Sequence, residues 1–293
     1  MTFALALALA AGLAPSAMAA RGLPGEPVTL VTSDSWTIVG RYSPSTEDDR
    51  LTFVLLHDGR GRKENWTLLA RRMAAMGIGY LALDMRGHGA SIQSPPGQPS
   101  TWRQFIVTRR DNPYEGIRED IAAAAAFLGT KGVPPEAVAL GGADLGSSVA
   151  LQYAALHPEV AMVFSLSPGL SYHEVATLNA VRAIKDRPML FVVAEDDRKA
   201  LAETSILYQF SRQVDGDQNA TFIQVPRGHG TRMLAYDRGL IDKILDWMED
   251  PTPLPAESTA PVEGLQPSAT PVIQAGPDGG PAPAAAPDSS TEN

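Results

Sequence analysis

Along the chain, short runs of apolar residues alternate with segments in which apolar residues recur at helical spacing. The apolar runs predict strands at 28–31, 36–42, 52–57, 79–84, 137–141, 162–167, 189–194 and 221–225. The helical spacings predict helices at 66–76, 117–128, 145–156, 201–214 and 240–248. We expect the first two strands to form a hairpin around residues 33–35. Strands that alternate with helices over this length indicate an α/β fold with a mainly parallel central sheet and helices on both faces.

One predicted strand indicates how the sheet is covered. The run TFVLLH at 52–57 is apolar almost throughout, which is typical of a strand buried on both faces. In such sheets, ligands and catalytic groups lie at the carboxyl ends of the strands, so the polar residues that follow the strands are the candidates for chemistry. The stretch 168–187 after the sixth strand is short, and we therefore expect no substantial cap domain over this edge.

The composition fits one such domain at 21–250, with an appendage at each end. The chain has 293 residues, of which 44% are hydrophobic and 19% charged. It has no Cys, which excludes disulfides, thiolate metal sites and Cys nucleophiles. All 24 basic residues and all but five of the 33 acidic residues lie within the domain. That balance leaves no basic stripe, so we expect no nucleic-acid partner.

The two ends of the chain differ in composition from a folded core. Residues 1–20 hold an uncharged Ala/Leu run followed by Ala-Met-Ala, which predicts a signal peptide and a secreted or periplasmic protein; a buried helix is the alternative. Residues 251–293 are rich in Pro and Ala and carry acidic but no basic residues. We expect this tail to be disordered and to have no role in the chemistry. An association with the cell envelope stays open, and the sequence does not predict the oligomeric state.

The most informative motif is GADLG at 142–146, directly between a predicted strand and a predicted helix. The small residues at both flanks match a nucleophile elbow, a sharp turn that exposes one side chain over the carboxyl edge of the sheet. That side chain is usually Ser, and here it is Asp144. A simpler interpretation is that Asp144 caps the helix that begins at Leu145, since Asp is a preferred N-cap residue.

Two further polar residues follow later strands. Asp197 ends the phrase AEDD after the strand at 189–194, and His229 lies in RGHG after the last strand. Elbow, acid and His occur in the chain order of nucleophile-elbow hydrolases. A neutral His229, held by a hydrogen bond to Asp197, is suited to act as a general base. Asp196 is the alternative acid, and a solvated acidic turn is the interpretation without chemistry.

Five phrases carry a family resemblance. They are LLHDGRGRKENW, LALDMRGHGAS, LSPGLSYHEV, RPMLFVVAEDD and RGHGTRML, each at a predicted strand end. From about residue 28 to 248 the chain resembles the α/β-hydrolase superfamily, and within it small secreted or cell-envelope hydrolases of the esterase-like or dienelactone-hydrolase-like kind. The resemblance implies that Asp144, Asp197 and His229 hold the catalytic positions. It also implies an oxyanion hole formed by the backbone N–H groups of Gly59 and Leu145. The residues expected at the substrate are His57, Trp102 and Tyr172.

The chemistry of an Asp at the elbow leaves three hypotheses open. A carboxylate that attacks a carbonyl forms a mixed anhydride, whereas attack at a saturated carbon forms an ester that His-activated water can hydrolyse. Dehalogenases and epoxide hydrolases of the α/β-hydrolase superfamily use this attack at a saturated carbon. Our first hypothesis is an esterase-like hydrolase of a small substrate, because the rest of the chain resembles Ser-bearing esterases. The alternatives are an Asp-nucleophile dehalogenase or epoxide hydrolase, and an inactive relative that binds a ligand or an envelope partner.

The inactive alternative has a physical basis. Asp58, Asp144 and Asp197 around one imidazole would raise the pKa of His229 and hold it protonated, and an imidazolium cannot act as a base. The sequence contains no metal-ligand cluster, phosphate loop or dinucleotide fingerprint. We therefore expect a small-molecule substrate, no cofactor and no metal.

Overall fold

A computed structural model describes residues 22–47, 50–215 and 219–251, without the side chains of 214 and 215. These residues belong to one compact unit. The expected signal peptide at 1–20 lies outside the described residues, and so does the expected tail apart from residue 251. None of the helices described is long and apolar enough to span a bilayer.

The elements alternate along the chain as the apolar pattern predicts. The strands are β1 (Glu26–Val31), β2 (Thr37–Ser43), β3 (Thr52–Leu56), β4 (Gly79–Leu83), β5 (Gln93–Ser94), β6 (Gln98–Pro99), β7 (Val138–Ala143), β8 (Val163–Leu166), β9 (Ser171–Tyr172), β10 (Val175–Ala176), β11 (Met189–Ala194) and β12 (Ala220–Val225). The helices are α1 (Thr67–Ala75), α2 (Ile117–Thr130), α3 (Leu145–Leu156), α4 (Leu178–Ile184), α5 (Arg198–Asp215), α6 (Met233–Tyr236) and α7 (Gly239–Glu249).

The central sheet has the order β12-β11-β8-β7-β3-β4-β2-β5-β6, and β1 pairs with β2. Every pairing from β12 to β4 is parallel, whereas β1, β2, β5 and β6 add antiparallel pairings at one side. Side chains of β3 alternate between two buried clusters: Phe53 and Leu55 pack into one, Val54 and Leu56 into the other. The sheet is therefore covered on both faces, which confirms the predicted fold class.

The stretch 168–187 contains more structure than its sequence pattern predicts. A two-stranded hairpin, β9–β10, is followed by α4, which has only seven residues. Two-residue strands have no periodicity to detect, and the turn residues His173 and Glu174 adopt positive φ without being Gly, Asn or Asp. The expected absence of a substantial cap domain agrees with these dimensions, but the hairpin itself was not foreseen.

Two glycines allow the elbow to pack closely on the sheet. A Cβ at Gly141 would overlap the ring of Phe164, and a Cβ at Gly146 would overlap the carbonyl oxygen of Leu56. Because only glycine leaves this space, β7 and the first turn of α3 approach β8 and β3 closely. That approach presents Asp144 at the carboxyl edge of the sheet.

We expect Gly141→Ala to lower the free energy of unfolding by about 1–3 kcal/mol, because the added methyl group overpacks the core. Gly129→Ala is the matched control, since Gly129 lies in α2 and nothing approaches its Cβ position within 4 Å. The control should leave stability unchanged or raise it by up to about 1 kcal/mol. Urea unfolding of both variants checks the prediction, and equal stabilities would contradict the packing argument.

Candidate active site

Asp144 occupies the sharp turn between β7 and α3. Its backbone has φ 52° and ψ −118°, a conformation that is strained for a residue other than Gly. Its N–H donates to the carbonyl oxygen of Leu166 at 2.9 Å, which ties the turn to the end of β8. The side chain makes no N-cap hydrogen bond to α3. The simpler interpretation of Asp144 as a helix cap is therefore not supported, and the side chain is free to face the cleft.

The two predicted oxyanion donors lie next to the carboxylate of Asp144. The N–H of Gly59 donates to Asp144 Oδ2 at 3.0 Å. The backbone N–H of Leu145 helps to lower the pKa of the same carboxyl. The other oxygen, Oδ1, lies 3.6 Å from Nε2 of His229. In this structure the elbow side chain thus fills the hole that would receive a substrate oxyanion.

His229 lies between two carboxylates. Its Nδ1 donates to Oδ2 of Asp197, and its Nε2 faces Asp144. Asp196, the alternative acid, instead accepts the N–H of Gly228 at 2.8 Å and so anchors the loop. The structure therefore brings together Asp144, Asp197 and His229 as the sequence predicts. The imidazole keeps 40% of its side-chain surface exposed, so this part of the site is open to solvent.

This arrangement shifts the protonation equilibria of both partners. The interaction with Asp144, and then the hydrogen bond to Asp197, raises the pKa of His229 to about 9 although burial opposes the shift. Burial would raise the pKa of Asp144, but hydrogen bonds from His229 and from the Gly59 N–H hold it below its usual value. At neutral pH the pair is therefore an imidazolium facing a carboxylate. This agrees with the expectation that carboxylates keep His229 protonated.

Asp58, the third carboxylate of that expectation, points away from the oxyanion hole. Its two oxygens accept the backbone N–H of Thr231, at 3.1 Å, and the Thr231 hydroxyl. Thr231 carried no signal in the sequence, because Thr in a loop is common and the contact spans the two ends of the domain.

The β9–β10 hairpin brings two side chains to the site. The ring of Tyr172 meets that of His229 edge-on with centroids 6.3 Å apart, and its expected position at the substrate stays a prediction. Its hydroxyl donates to the carbonyl oxygen of Ser167 at 3.3 Å. The next residue, His173, stacks on Tyr114 with centroids 4.1 Å apart. Burial lowers the pKa of His173, while the charge of Asp144 acts in the opposite direction. The sequence analysis missed His173 because it missed the hairpin.

The structure does not support the prediction that His57 binds substrate. The ring is fully buried; its Nε2 accepts the N–H of Met85 at 3.1 Å, and its Nδ1 donates to the carbonyl oxygen of Asp58 at 2.7 Å. Burial lowers its pKa to about 3, so the ring is neutral. His57 fastens the ends of β3 and β4 together, and no surface of the ring is left for a ligand.

The expected role of Trp102 at the substrate is also unsupported. Its ring stacks on His88 with centroids 5.9 Å apart, and His88 Nε2 lies 2.9 Å from the carbonyl oxygen of Gly59. Trp102 is therefore linked, through His88, to the turn that carries Gly59. Over the described ranges, no group of His, Asp and Glu side chains has the arrangement of a metal site.

Comparison with known proteins places this geometry in context. The family profile of the alpha/beta hydrolase fold matches residues 52–221. Uncharacterized protein Rv2307c of Mycobacterium tuberculosis (strain ATCC 25618 / H37Rv) is 31% identical over 172 residues, which are 58% of this chain and 54% of that protein. The chain therefore spans about half the length of this curated relative.

Two solved structures are similar in fold. Esterase Pf2001 of Pyrococcus furiosus gives a TM-score of 0.60 at 17% identity, over 78% of this chain and 92% of the esterase. A soluble variant of the Saccharomyces cerevisiae monoglyceride lipase, in complex with a substrate analog, gives 0.60 at 12% identity, over 80% of this chain and 98% of the lipase. At these identities the likeness establishes the fold alone.

We expect Asp144→Ser to gain hydrolysis of short p-nitrophenyl esters, at least about 100-fold above the wild type, because the substitution frees both N–H groups of the hole. Losing one carboxylate also lowers the pKa of His229 towards its ordinary value, so that it can act as a base. The double variant Asp144→Ser/His229→Gln is the control and should lose the gain. A folded Asp144→Ser variant without ester hydrolysis would show that the remaining groups are not aligned.

Proposed function

The chain belongs to the alpha/beta hydrolase fold family, and from this premise we propose that it is a hydrolase whose Asp144 attacks a saturated carbon of a small alkyl substrate, an epoxide or an alkyl halide. One observation carries the proposal: Asp144 Oδ2 accepts the N–H of Gly59 at 3.0 Å, in the expected oxyanion hole, while Oδ1 makes no backbone contact there and lies 3.6 Å from His229 Nε2. An ester carbonyl would need those same two N–H groups to stabilise its oxyanion. The filled hole therefore favours the Asp-nucleophile alternative over the esterase-like hypothesis.

The first step forms one bond and breaks another. Asp144 Oδ1 bonds to the substrate carbon, and the carbon–halogen or carbon–oxygen bond breaks with its electron pair on the leaving atom. The product is halide or, once the alkoxide takes a proton from water and leaves hydroxide in the solvent, a hydroxyl group. Asp144 is now a neutral alkyl ester, whose carbonyl oxygen is the former Oδ2 and still faces Gly59 and Leu145.

In the second step the oxyanion hole stabilises the oxyanion of a tetrahedral intermediate. His229 takes a proton from water, and the hydroxide adds to the ester carbon of Asp144. The oxyanion that forms is held by the Gly59 and Leu145 N–H groups. Collapse breaks the ester bond, and the alcohol leaves with the proton from His229. The carboxylic acid left on Asp144 then gives its proton to His229, which regenerates the carboxylate and the imidazolium, and the net reaction consumes one water.

The raised pKa of His229 fits this order of events. Its interaction with Asp144 is the largest contribution that keeps the imidazole protonated, followed by the hydrogen bond to Asp197 and then the charge of Asp144. Alkylation removes that charge, so the pKa of His229 falls and its proton leaves through the exposed side of the ring. The base thus becomes available only after the first step, when it is needed.

The hairpin supplies a donor for the leaving atom in this proposal. Burial and the neighbouring carboxylates raise the pKa of Tyr172, so its phenol stays neutral and its O–H donates to the carbonyl oxygen of Ser167. His173 is neutral at pH 7 because burial lowers its pKa, and it has N–H donor capacity. In this proposal His173 would donate to the halide or the epoxide oxygen, and the ring of Tyr172 would line the site.

A second candidate function is ligand binding without turnover. The observation that favours it is the same imidazolium: if His229 keeps its proton after ligand binding, it cannot activate water. Export from the cytoplasm also remains part of our proposal, and it rests on the sequence of residues 1–20 alone.

We expect His229→Gln to accumulate an alkyl ester on Asp144 when incubated with a short epoxide or haloalkane, because the first step needs no base. Intact-mass and peptide mass spectrometry detect the ester. The wild type should instead release alcohol, and in heavy-oxygen water its first turnover should place the label in Asp144. Asp144→Asn is the control and should form neither adduct nor alcohol.

Alcohol production by Asp144→Asn, or label that enters the first alcohol directly, would contradict a covalent intermediate. Binding of the alkyl compounds without adduct or product in any variant would contradict the enzyme proposal and favour the ligand-binding candidate.

A further inference from the structure

The carboxylate of Asp58 makes a paired contact with the loop that carries His229. Oδ1 accepts the backbone N–H of Thr231 at 3.1 Å, and Oδ2 accepts the Thr231 hydroxyl. The contact depends on the intervening glycine, because a Cβ at Gly230 would collide with Asp58 Oδ1. Gly230 also has φ +52°, a backbone conformation that other residues rarely adopt. Gly230 thus leaves space for the carboxylate of Asp58, and Thr231 donates two hydrogen bonds to it.

The loop at 228–231 is tied to three strand ends. Asp58 follows β3 and holds Thr231. Ser167 follows β8, and its Oγ accepts the N–H of Gly230 at 2.9 Å. Asp196 follows β11 and accepts the N–H of Gly228 at 2.8 Å. Between these ties the imidazole itself is half-exposed, so its placement depends on the backbone to either side.

The position of Asp58 is electrostatically unfavourable for its charged form. Burial raises its pKa, the Thr231 hydrogen bonds lower it, and the charge of Asp144 raises it again. A buried carboxylate close to a second one is expensive unless its hydrogen bonds are satisfied. The Thr231 N–H and hydroxyl satisfy one oxygen each. The contact is therefore specific, and it loses much of its strength if either donor is removed.

One turn therefore acts on both reacting groups. Gly59 holds Oδ2 of Asp144 through its N–H, and the preceding residue, Asp58, holds the loop of His229. We propose that Asp58 is a positioning residue that sets His229 between Asp144 and Asp197 through its paired contact with Thr231. This inference rests on the proposed function, since it assigns Asp58 a part in the ester-hydrolysis step. Asp58 does not itself touch the reacting atoms.

The test compares Thr231→Val with Thr231→Ser. Val has the shape of Thr without the hydroxyl and leaves the charge of Asp58 in place, whereas Ser keeps the hydroxyl. We expect Thr231→Val to lower kcat by roughly 10- to 100-fold with KM little changed, because a small displacement of the base weakens the chemical step without affecting binding. In Thr231→Val the alkyl ester on Asp144 should also persist long enough to be detected. Thr231→Ser should behave as the wild type.

A second measurement does not depend on turnover. The groups that face His229 are Asp144, Asp197 and the ring of Tyr172, so the NMR signal of its Nδ1 proton and its titration report the position of the ring. We expect Thr231→Val to weaken that proton signal and to lower the pKa of His229 below about 9, and Thr231→Ser to preserve both. Asp58→Asn, which can accept only one of the two bonds as a carbonyl, should shift kcat in the same direction and serves if Thr231→Val does not fold.

The outcomes separate this inference from the proposed function. Unchanged kcat and unchanged His229 signals in folded Thr231→Val would overturn the positioning role, whatever the substrate proves to be. A loss of thermal stability alone, with kcat and the His229 titration preserved, would also overturn it. A wild type without turnover would contradict the proposed function, and the NMR comparison would still decide the role of Asp58.

Discussion

The Gly59 N–H and the imidazole of His229 converge on the carboxylate of Asp144, and the other features of the site follow from that convergence. A half-buried carboxylate is stable where donors and an opposite charge satisfy it; here the Gly59 N–H donates to Oδ2, and His229 Nε2 lies 3.6 Å from Oδ1. The same contacts hold the imidazole in its charged form. Asp144 and His229 thereby stabilise each other's charged form, and in our proposal this ends when a substrate removes the negative charge of Asp144.

The fold produces this convergence through close packing at one edge of the sheet. Gly141 and Gly146 let the elbow approach the neighbouring strands, so that the side chain of residue 144 reaches the donors of the β3 turn. His57, buried between the ends of β3 and β4, keeps that turn in place. A site built on strand ends in this way needs little contribution from a cap. The short β9–β10 hairpin is sufficient to bring Tyr172 over His229.

The sequence predicts this fold well because its signals are local. Continuous apolar runs and the glycines around Asp144 determine the parallel sheet and the elbow, and the order of Asp144, Asp197 and His229 follows from the strands that carry them. The direction in which a side chain points is not determined by the local sequence. A His at the end of a strand gives the same sequence pattern whether it faces a ligand or, as His57 does, the core. Asp58 could have faced the oxyanion hole, and only the three-dimensional contact with Thr231 shows that it does not. The hairpin at 171–176 was missed because its strands are too short for a period to exist.

The central claim is that Asp144 controls the charge of His229, and an NMR titration of histidine-labelled protein tests it most directly. The His229 resonance is identified by its loss in His229→Gln, and its pKa is compared between the wild type and Asp144→Asn. The account predicts a pKa of about 9 in the wild type and a clear fall towards the ordinary histidine range in the variant. A wild-type pKa near 6.5, or the same value in both proteins, would contradict it.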